Sequence, residues 1–209
     1  MTKNQSDVRR IVGQVISQAL NVPILSGALI TFIFFKLPTD IPNRLPGFGW
    51  TLLFLSLIPL GSLFFYIPGG VKDKAKIIKR QRIASFVFMI ASYPLGWLVL
   101  HLTGAPRIYE AIAVTYTMVT LGLILINFII RYKASGHAAG VAGPVGAMIY
   151  LFGLVATPLL ALIPLTSWAR VSAQGHNIWQ TVVGALLSLG ITALVLWAYG
   201  FLPVAGFPQ

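Results

Sequence analysis

The amino-acid sequence predicts an all-α protein, a polytopic transmembrane bundle of about six to seven helical segments. Hydrophobic residues make up 57% of the 209 residues and charged residues only 9%, with a mean hydropathy of +0.85. In soluble domains about 25% of residues are charged. Apolar runs of about 20 residues, the length needed to cross a bilayer, also recur along the chain. We therefore expect one integral-membrane domain over residues 1–209.

The apolar stretches predict the helices in order. The first, residues 11–35, follows a basic segment but is too long for the apolar region of a signal peptide, so we expect a retained helix. Further spans are predicted at residues 50–67, 83–102, 108–130 and 181–202. The stretch 138–168 fits either one span or two short helices that break near the sequence GLVATP. Only two helices return its ends to the same face.

Charge and cysteine content exclude several classes of protein. Fifteen Lys and Arg against four Asp and Glu give a net charge of +11. In a soluble protein this charge is typical of nucleic-acid binding. Here basic loops that flank apolar spans explain it, so we expect membrane lipids and no nucleic acid as partners. Because the chain has no cysteine, disulfides, thiolate catalysis and cysteine metal sites are excluded.

Polar residues in a membrane protein are costly and therefore suggest function. Three clusters lie at the ends of predicted spans: Lys72, Lys74, Lys76, Lys79, Arg80 and Arg82; the sequence KASGH from Lys133 to His137; and Arg170 with His176. Each cluster alone has an ordinary explanation. The first is typical of a topology signal, the second contains a small-residue spacing that packs helices, and an arginine often anchors a helix at the interface.

Together the clusters indicate a phosphate site. Guanidinium and ammonium groups neutralise the oxygens of a phosphoryl group in transfer. One neutral imidazole can attack phosphorus and carry the phosphoryl group, and a second, protonated imidazole can donate to the leaving alcohol. This chemistry requires no metal ion or cofactor. It favours two helices in the stretch 138–168, since His137 and Arg170 then share a face.

The second and third clusters resemble the type-2 phosphatidic acid phosphatase superfamily, and the resemblance covers roughly residues 72–190. That family carries the motifs K-x6-R-P, P-S-G-H and S-R-x5-H-x3-D. The second motif here reads Ala134-Ser135-Gly136-His137, and the third reads Ala169-Arg170-x5-His176-x3-Gln180 and continues into TVVGALLSLG. In place of the first motif stands KRQR, in which Lys79 and Arg82 lie three residues apart on one helical face.

The resemblance implies a motif-bearing core over about residues 68–202 and a role for each site residue. His176 is expected to attack phosphorus, and His137 is expected to protonate the leaving oxygen. The phosphate oxygens are expected to be bound by Arg170, Lys79, Arg82, Lys133, Ser135 and Gly136.

The third motif departs from the family at Gln180, where the family has an aspartate. A glutamine keeps a carbonyl oxygen that can orient His176, but it lacks the negative charge. In the serine-protease triad, replacing the aspartate by asparagine lowers turnover about ten-thousand-fold, largely through the wrong tautomer. The H-x3-Q spacing is similar to a short integral-membrane branch of the family, so we include Gln180 among the catalytic residues.

The implied function is an integral-membrane phosphatase that hydrolyses a lipid phosphate or a polyprenyl (di)phosphate through a phosphohistidine intermediate. A site at the ends of the spans suits a lipid substrate, because its phosphate head group can lie at the membrane surface while its apolar tail lies between the helices. The alternative is a non-catalytic lipid-phosphate-binding or assembly protein on the same fold. A transporter or another transferase with the same cationic pocket is a third reading.

The distribution of cations predicts which side of the membrane holds the site. If the stretch 138–168 crosses twice, the N-terminus, the loop 68–82, Lys133 and Arg170 share one face. The opposite face has in its loops only Lys36, Arg44 and Arg107. The positive-inside rule then predicts a cytoplasmic N-terminus and active site and an external C-terminus.

Overall fold

The computed structural model describes residues 3–66, 74–173 and 175–203. All regular structure within these residues is helical, which confirms the predicted fold class. The α-helices are α1 (Lys3–Ala19), α2 (Val22–Lys36), α3 (Arg44–Leu52), α4 (Ile58–Leu60), α5 (Lys74–Leu102), α6 (Arg107–Ile124), α7 (Gly136–Phe152), α8 (Leu162–Ser172) and α9 (Ile178–Ala198). Short π or 3-10 segments extend or join them at Leu53–Leu57, Gly61–Tyr66, Leu125–Ile129 and Gly153–Ala161.

Four helical stretches among the described residues are long and apolar enough to cross a membrane. They are Ile83–Leu102, Arg107–Ile129, Gly136–Ser172 and Ile178–Ala198, and the bent pair α1–α2 adds a fifth if it forms one span. Three of them agree to within a few residues with the predicted spans 83–102, 108–130 and 181–202. These helices are those of a multi-pass membrane protein.

The predicted first span, residues 11–35, is wrong as a continuous helix. α1 ends at Ala19, α2 begins at Val22, and the two axes differ by 42°. Asn21 explains the break, because its Oδ1 accepts a hydrogen bond from the backbone N–H of Val22 at 2.8 Å. That N–H is one of the donors that the start of a helix leaves unpaired. Asn21 therefore begins a new helix inside an apolar stretch.

The stretch 138–168 forms two helices, as the chemistry of the site predicted. α7 ends at Phe152, and Gly153 adopts φ 66° and ψ −140°, a conformation that residues with a side chain avoid. A 3-10 segment then leads into α8. The chain folds back at this point, since the backbone N–H of Ser135, before α7, donates to the carbonyl oxygen of Gln180, after α8, at 2.9 Å.

Two compact units are distinguished along the chain. The first comprises Met1–Leu25 and Leu121–Gln209, and the second comprises Ser26–Thr120. The first unit contains α1, α7, α8 and α9, with the second and third sequence clusters. The second contains α3, α4, α5 and most of α2 and α6, with Lys79 and Arg82. The candidate site below is therefore described within the first unit.

Small residues bring α7 and α9 into close contact in the first unit. A Cβ atom at Gly143 would lie 2.6 Å from Oγ of Ser188, and one at Gly146 would lie 2.7 Å from a methyl group of Leu189. Small residues at such positions allow helix backbones to approach closely in membrane proteins. Because the two helices run in the same direction, their N-terminal ends lie side by side.

Candidate functional site

The loop after α8 places His176 beside the first turn of α9. Nδ1 of His176 lies 3.1 Å from Oε1 of Gln180. The same oxygen accepts a hydrogen bond from the backbone N–H of Asn177 at 3.1 Å, and Oδ1 of Asn177 accepts one from the backbone N–H of Gln180 at 2.9 Å. These reciprocal bonds form a capping box at the start of α9.

The capping box determines which atom of Gln180 faces His176. The oxygen and nitrogen of a side-chain amide are distinguished by their hydrogen bonds. Because the backbone N–H of Asn177 can only donate, the atom that it meets is the oxygen. Nδ1 of His176 contacts this same oxygen and therefore donates to it. The neutral ring thus keeps its lone pair on Nε2, the tautomer required for attack through Nε2.

The surroundings of His176 favour its neutral form. Burial, and after it the positive charges of Arg170 and Lys133, lower the pKa of His176 from 6.5 to about 4. Hydrogen bonding to Gln180 and to the backbone of Lys133 acts in the opposite direction. A neutral imidazole has a lone pair available at neutral pH.

The guanidinium group of Arg170 is held from two sides at the end of α8. Nη1 donates to Oγ of Ser17, on α1, at 3.0 Å. On the other side lies Gly175, where a Cβ atom would come within 2.9 Å of Nη2. The loop can lie against the guanidinium group because residue 175 has no side chain. Arg170 is thereby fixed beside His176.

The second cluster reaches the same loop. Nζ of Lys133 donates to the carbonyl oxygen of Gly175 at 2.9 Å. Ser135 is fully buried, and its Oγ accepts a hydrogen bond from the backbone N–H of Ala138 at 3.3 Å, so it caps the start of α7. Gly136 is the first residue of α7. The phosphate-binding role of Ser135 and Gly136 stays a prediction beside this capping role.

His137 faces the third cluster from the first turn of α7. It lies within electrostatic range of Arg170 and His176. Its Nε2 is buried and has no hydrogen-bond partner among the described residues. Buried polar atoms are nearly always hydrogen-bonded, so each exception needs an explanation, and a catalytic role is one. The structure therefore brings His137, Arg170 and His176 together at one end of the first unit.

The approach of the two motifs depends on Gly184, which the sequence analysis did not single out. A Cβ atom at this position would collide with the backbone carbonyl group of Ser135. Gly184 follows Gln180 by four residues and so lies on the same face of α9. This spacing is the signal that could have identified it. No comparable signal marks Ser17, which is 153 residues away from Arg170 in sequence.

Part of the first sequence cluster lies outside what the structure describes. Lys72 belongs to the undescribed residues 67–73. Lys79 and Arg82 lie on α5, in the second unit, but their side chains are not among those described. Their assignment to the phosphate site stays a prediction.

The described side chains at the site are mainly basic. Within residues 3–66, 74–173 and 175–203, no group of three or more His, Cys, Asp or Glu side chains is placed to hold a metal ion. The groups that converge are two imidazoles, one guanidinium and one ammonium. Such an arrangement suits an anion with several oxygens, because each cation can neutralise a separate oxygen.

The chain is similar to a lipid A 4'-phosphatase. This relative, from Helicobacter pylori (strain J99), is 38% identical over 70 residues. The matched stretch is 33% of this chain and 35% of the relative, so the chain matches about a third of that protein's length. No protein-family profile matches the chain, and no solved structure matches it.

Proposed function

We propose that the protein is an integral-membrane phosphatase that hydrolyses a lipid phosphate through a phosphohistidine intermediate. The observation that carries the proposal is the contact of His176 with Gln180, which holds the reactive tautomer next to Arg170. The similarity to a lipid A 4'-phosphatase supports a phosphate group on a lipid as the substrate. The apolar helices around the site suit a substrate whose tail lies in the bilayer.

In the first step, Nε2 of His176 attacks phosphorus, and the bond between phosphorus and the lipid oxygen breaks. In the transition state, the positive charges of Arg170 and Lys133 neutralise the negative charge on the phosphoryl oxygens. As the ring of His176 becomes positively charged, the hydrogen bond from Nδ1 to Gln180 strengthens and stabilises it. The product of this step is a phosphorylated His176.

His137 is the proposed proton donor to the leaving oxygen. A phosphate dianion bound between Arg170 and His137 stabilises the protonated imidazole, because it offsets the charge of Arg170. The proton passes to the lipid oxygen as its bond to phosphorus breaks. The neutral His137 can then accept a proton from the water that hydrolyses the phosphohistidine, which restores the starting state.

The substrate class follows from these groups and from the similarity. A phosphate monoester on a lipid such as lipid A needs one cluster of cations and one proton donor. A polyprenyl (di)phosphate is the second substrate class in the proposal. The reaction uses no metal ion or cofactor in this proposal.

A specific observation favours a second candidate, a non-catalytic lipid-phosphate-binding or assembly protein. Gln180 is neutral, so it gives the phosphorylated His176 no negative charge for stabilisation. The two candidates share the binding groups and differ in turnover. Binding of a lipid phosphate without release of inorganic phosphate is the result that would favour the second.

The test measures release of inorganic phosphate from lipid phosphates by the full-length protein in detergent and in vesicles. We expect turnover by the wild type and none by His176→Ala. The panel contains lipid A and phosphatidic acid together with undecaprenyl phosphate and diphosphate. Thermal unfolding of the variant is the control for folding. Absence of turnover on every substrate would contradict the proposal.

The role of His137 has its own test. His137→Ala is expected to lose much less activity on an aryl phosphate with a weakly basic leaving group than on an alkyl phosphate, because the aryl oxygen needs no proton. Equal losses on both substrates would remove His137 from the role of general acid.

We further propose that the site faces the cytoplasm, as the positive-inside rule predicts. The cations of the N-terminus and of residues 68–82 support this orientation, together with Lys133 and Arg170. A reporter that is active only outside the cytoplasm is expected to be active when fused after Gln209. A C-terminal fusion that is active only in the cytoplasm would reverse the proposed orientation.

A further inference from the structure

α1 is attached to the rest of the first unit by one narrow face. A Cβ atom at Gly13 would lie 2.8 Å from the carbonyl oxygen of Ala169 and 3.0 Å from Cβ of Ser172. Four residues later Ser17, which is fully buried, accepts the hydrogen bond from Arg170. This face of small residues packs against the end of α8, close to the candidate site.

A second face of α1 is apolar and exposed. It consists of Val8, Ile11, Val12 and Val15, each of which is 41–62% exposed. Their spacing of three, four and seven residues puts them on one side of a helix. Exposed apolar stripes of this kind on a described helix require an apolar neighbour, because they are unfavourable in water.

A third face is polar and also exposed. Asp7, Arg10, Gln14 and Gln18 repeat every three or four residues and therefore form a second stripe, beside the apolar one. α1 cannot be surrounded by hydrocarbon along its length, since this stripe would then lie in lipid. It cannot be surrounded by water either, because of the apolar stripe. Only at a boundary between hydrocarbon and water can the apolar stripe contact lipid while the polar stripe contacts water.

The charges on α1 indicate the kind of boundary. Asp7 is followed by Arg9 and Arg10, and Arg10 is exposed. Arg9 donates from Nε to Oγ of Ser172 at 3.2 Å, and its guanidinium group lies 6.0 Å from the ring centre of Trp168, which is itself partly exposed. Arginine and tryptophan side by side are typical of the level of lipid headgroups. The positive charges of Arg9 and Arg10 complement anionic headgroups.

We propose that α1 is an interfacial helix that binds an anionic bilayer surface next to the candidate site. The stripe Val8–Ile11–Val12–Val15 enters the acyl region, and the stripe Asp7–Arg10–Gln14–Gln18 faces water. The partner of this surface is the bilayer of the membrane in which the protein itself resides. The inference does not depend on catalytic activity, because it rests on the three faces of α1.

The chain offers a direct test because it contains no cysteine. Single cysteine variants of the full-length protein can therefore carry one nitroxide spin label each. Val15→Cys and Ile11→Cys probe the apolar stripe, and Gln14→Cys and Gln18→Cys are the matched polar controls. The labelled proteins are reconstituted in vesicles of equal parts phosphatidylcholine and phosphatidylglycerol. The measurement compares relaxation of each label by oxygen, which concentrates in lipid, and by a water-soluble nickel complex.

We expect oxygen to dominate at residues 11 and 15 and the nickel complex to dominate at residues 14 and 18. In vesicles of phosphatidylcholine alone, the labels at residues 11 and 15 are expected to move toward water. Four labels that are all lipid-accessible would identify a transmembrane helix instead. Four labels that are all accessible to water would overturn the proposal. Strong spin–spin coupling between labels would identify a second copy of the chain as the partner and would also overturn it. Two positions on each stripe keep the test decisive if one variant fails to fold.

Discussion

His176 and Asn177 donate hydrogen bonds to the same oxygen atom of Gln180. An aspartate in this position offers two equivalent oxygens, so either one can accept from a histidine. A glutamine offers one oxygen and one nitrogen, and the wrong rotation would present a donor to Nδ1. The capping box of α9 removes this ambiguity. The start of a helix thus gives a neutral residue the directing role of a carboxylate.

The first prediction concerns this directing role. Gln180→Ala removes the acceptor, so the ring of His176 can adopt the other tautomer. We expect turnover to fall on the order of 10²–10⁴-fold, as when a histidine in a triad loses its orienting partner. The tautomer is measured by nitrogen-15 NMR of labelled histidine. Gln180→Glu, which keeps an oxygen for both donors, is the control and is expected to remain active; full activity of Gln180→Ala would contradict the role.

The second prediction concerns pH. With the pKa of His176 held at about 4, its ring is neutral above that pH, so protonation of His176 is expected to lower kcat/KM as the pH drops through about 4. Because folding depresses this pKa below its unfolded value, the contribution of His176 to stability is fully present above pH 6.5 and is lost as the pH falls toward 4. Gln180→Glu adds a negative charge beside the ring and is expected to move the acid limb up by about 1–3 units. Identical pH profiles for the two proteins would refute this account.

The third prediction concerns the contact between α9 and the backbone before α7. Gly184→Ala is expected to destabilise the protein by about 1–3 kcal/mol, the usual cost of overpacking, and to lower activity by displacing Ser135 from Gln180. Gly190→Ala on the same helix is the matched control, since no atom lies within 4 Å of its added Cβ. Thermal unfolding and phosphate release check both variants. A Gly184→Ala protein as stable and active as Gly190→Ala would contradict the close approach.

The fourth prediction concerns Ser17. Ser17→Ala removes the hydrogen bond to Nη1 of Arg170. A hydrogen bond to a charged group contributes about 1.5–3 kcal/mol, so inhibition by inorganic phosphate is expected to weaken by about 10- to 150-fold. Gln18→Ala, its exposed neighbour on α1, is expected to behave as the wild type. Unchanged inhibition in Ser17→Ala would show that Arg170 does not depend on α1.

The sequence predicted those features that depend on local pattern. The lengths of the apolar runs predicted the positions of the spans from residue 83 onward. The expectation that His137 and Arg170 act at one site predicted the helix break that the structure has at Gly153. Hydropathy could not locate the break at Asn21, because one polar side chain scarcely changes the mean of an apolar window. The contact between Ser17 and Arg170 was equally inaccessible, since it depends on how distant helices pack.

The orientation of Gln180 was only partly predictable. The spacing of His176 and Gln180 predicted that one could contact the other, and the structure places them 3.1 Å apart. The role of Asn177 as the helix cap, which selects the oxygen, was not foreseen, although an asparagine three residues before a glutamine is a capping-box signature. The catalytic roles themselves stay predictions until turnover is measured.

The turn at Gly153 also affects how the protein fits the membrane. Residues 136–172 form one apolar stretch that as a straight helix would be about 55 Å long, well beyond the thickness of a bilayer. The stretch therefore fits a bilayer as a hairpin, with the exposed Leu154 and Val155 at its tip. A hairpin keeps both of its ends, with His137 and Arg170, on the same side of the bilayer. The hairpin is thus a condition for assembling the pocket, because a chain that carried Arg170 across the bilayer would separate it from His137.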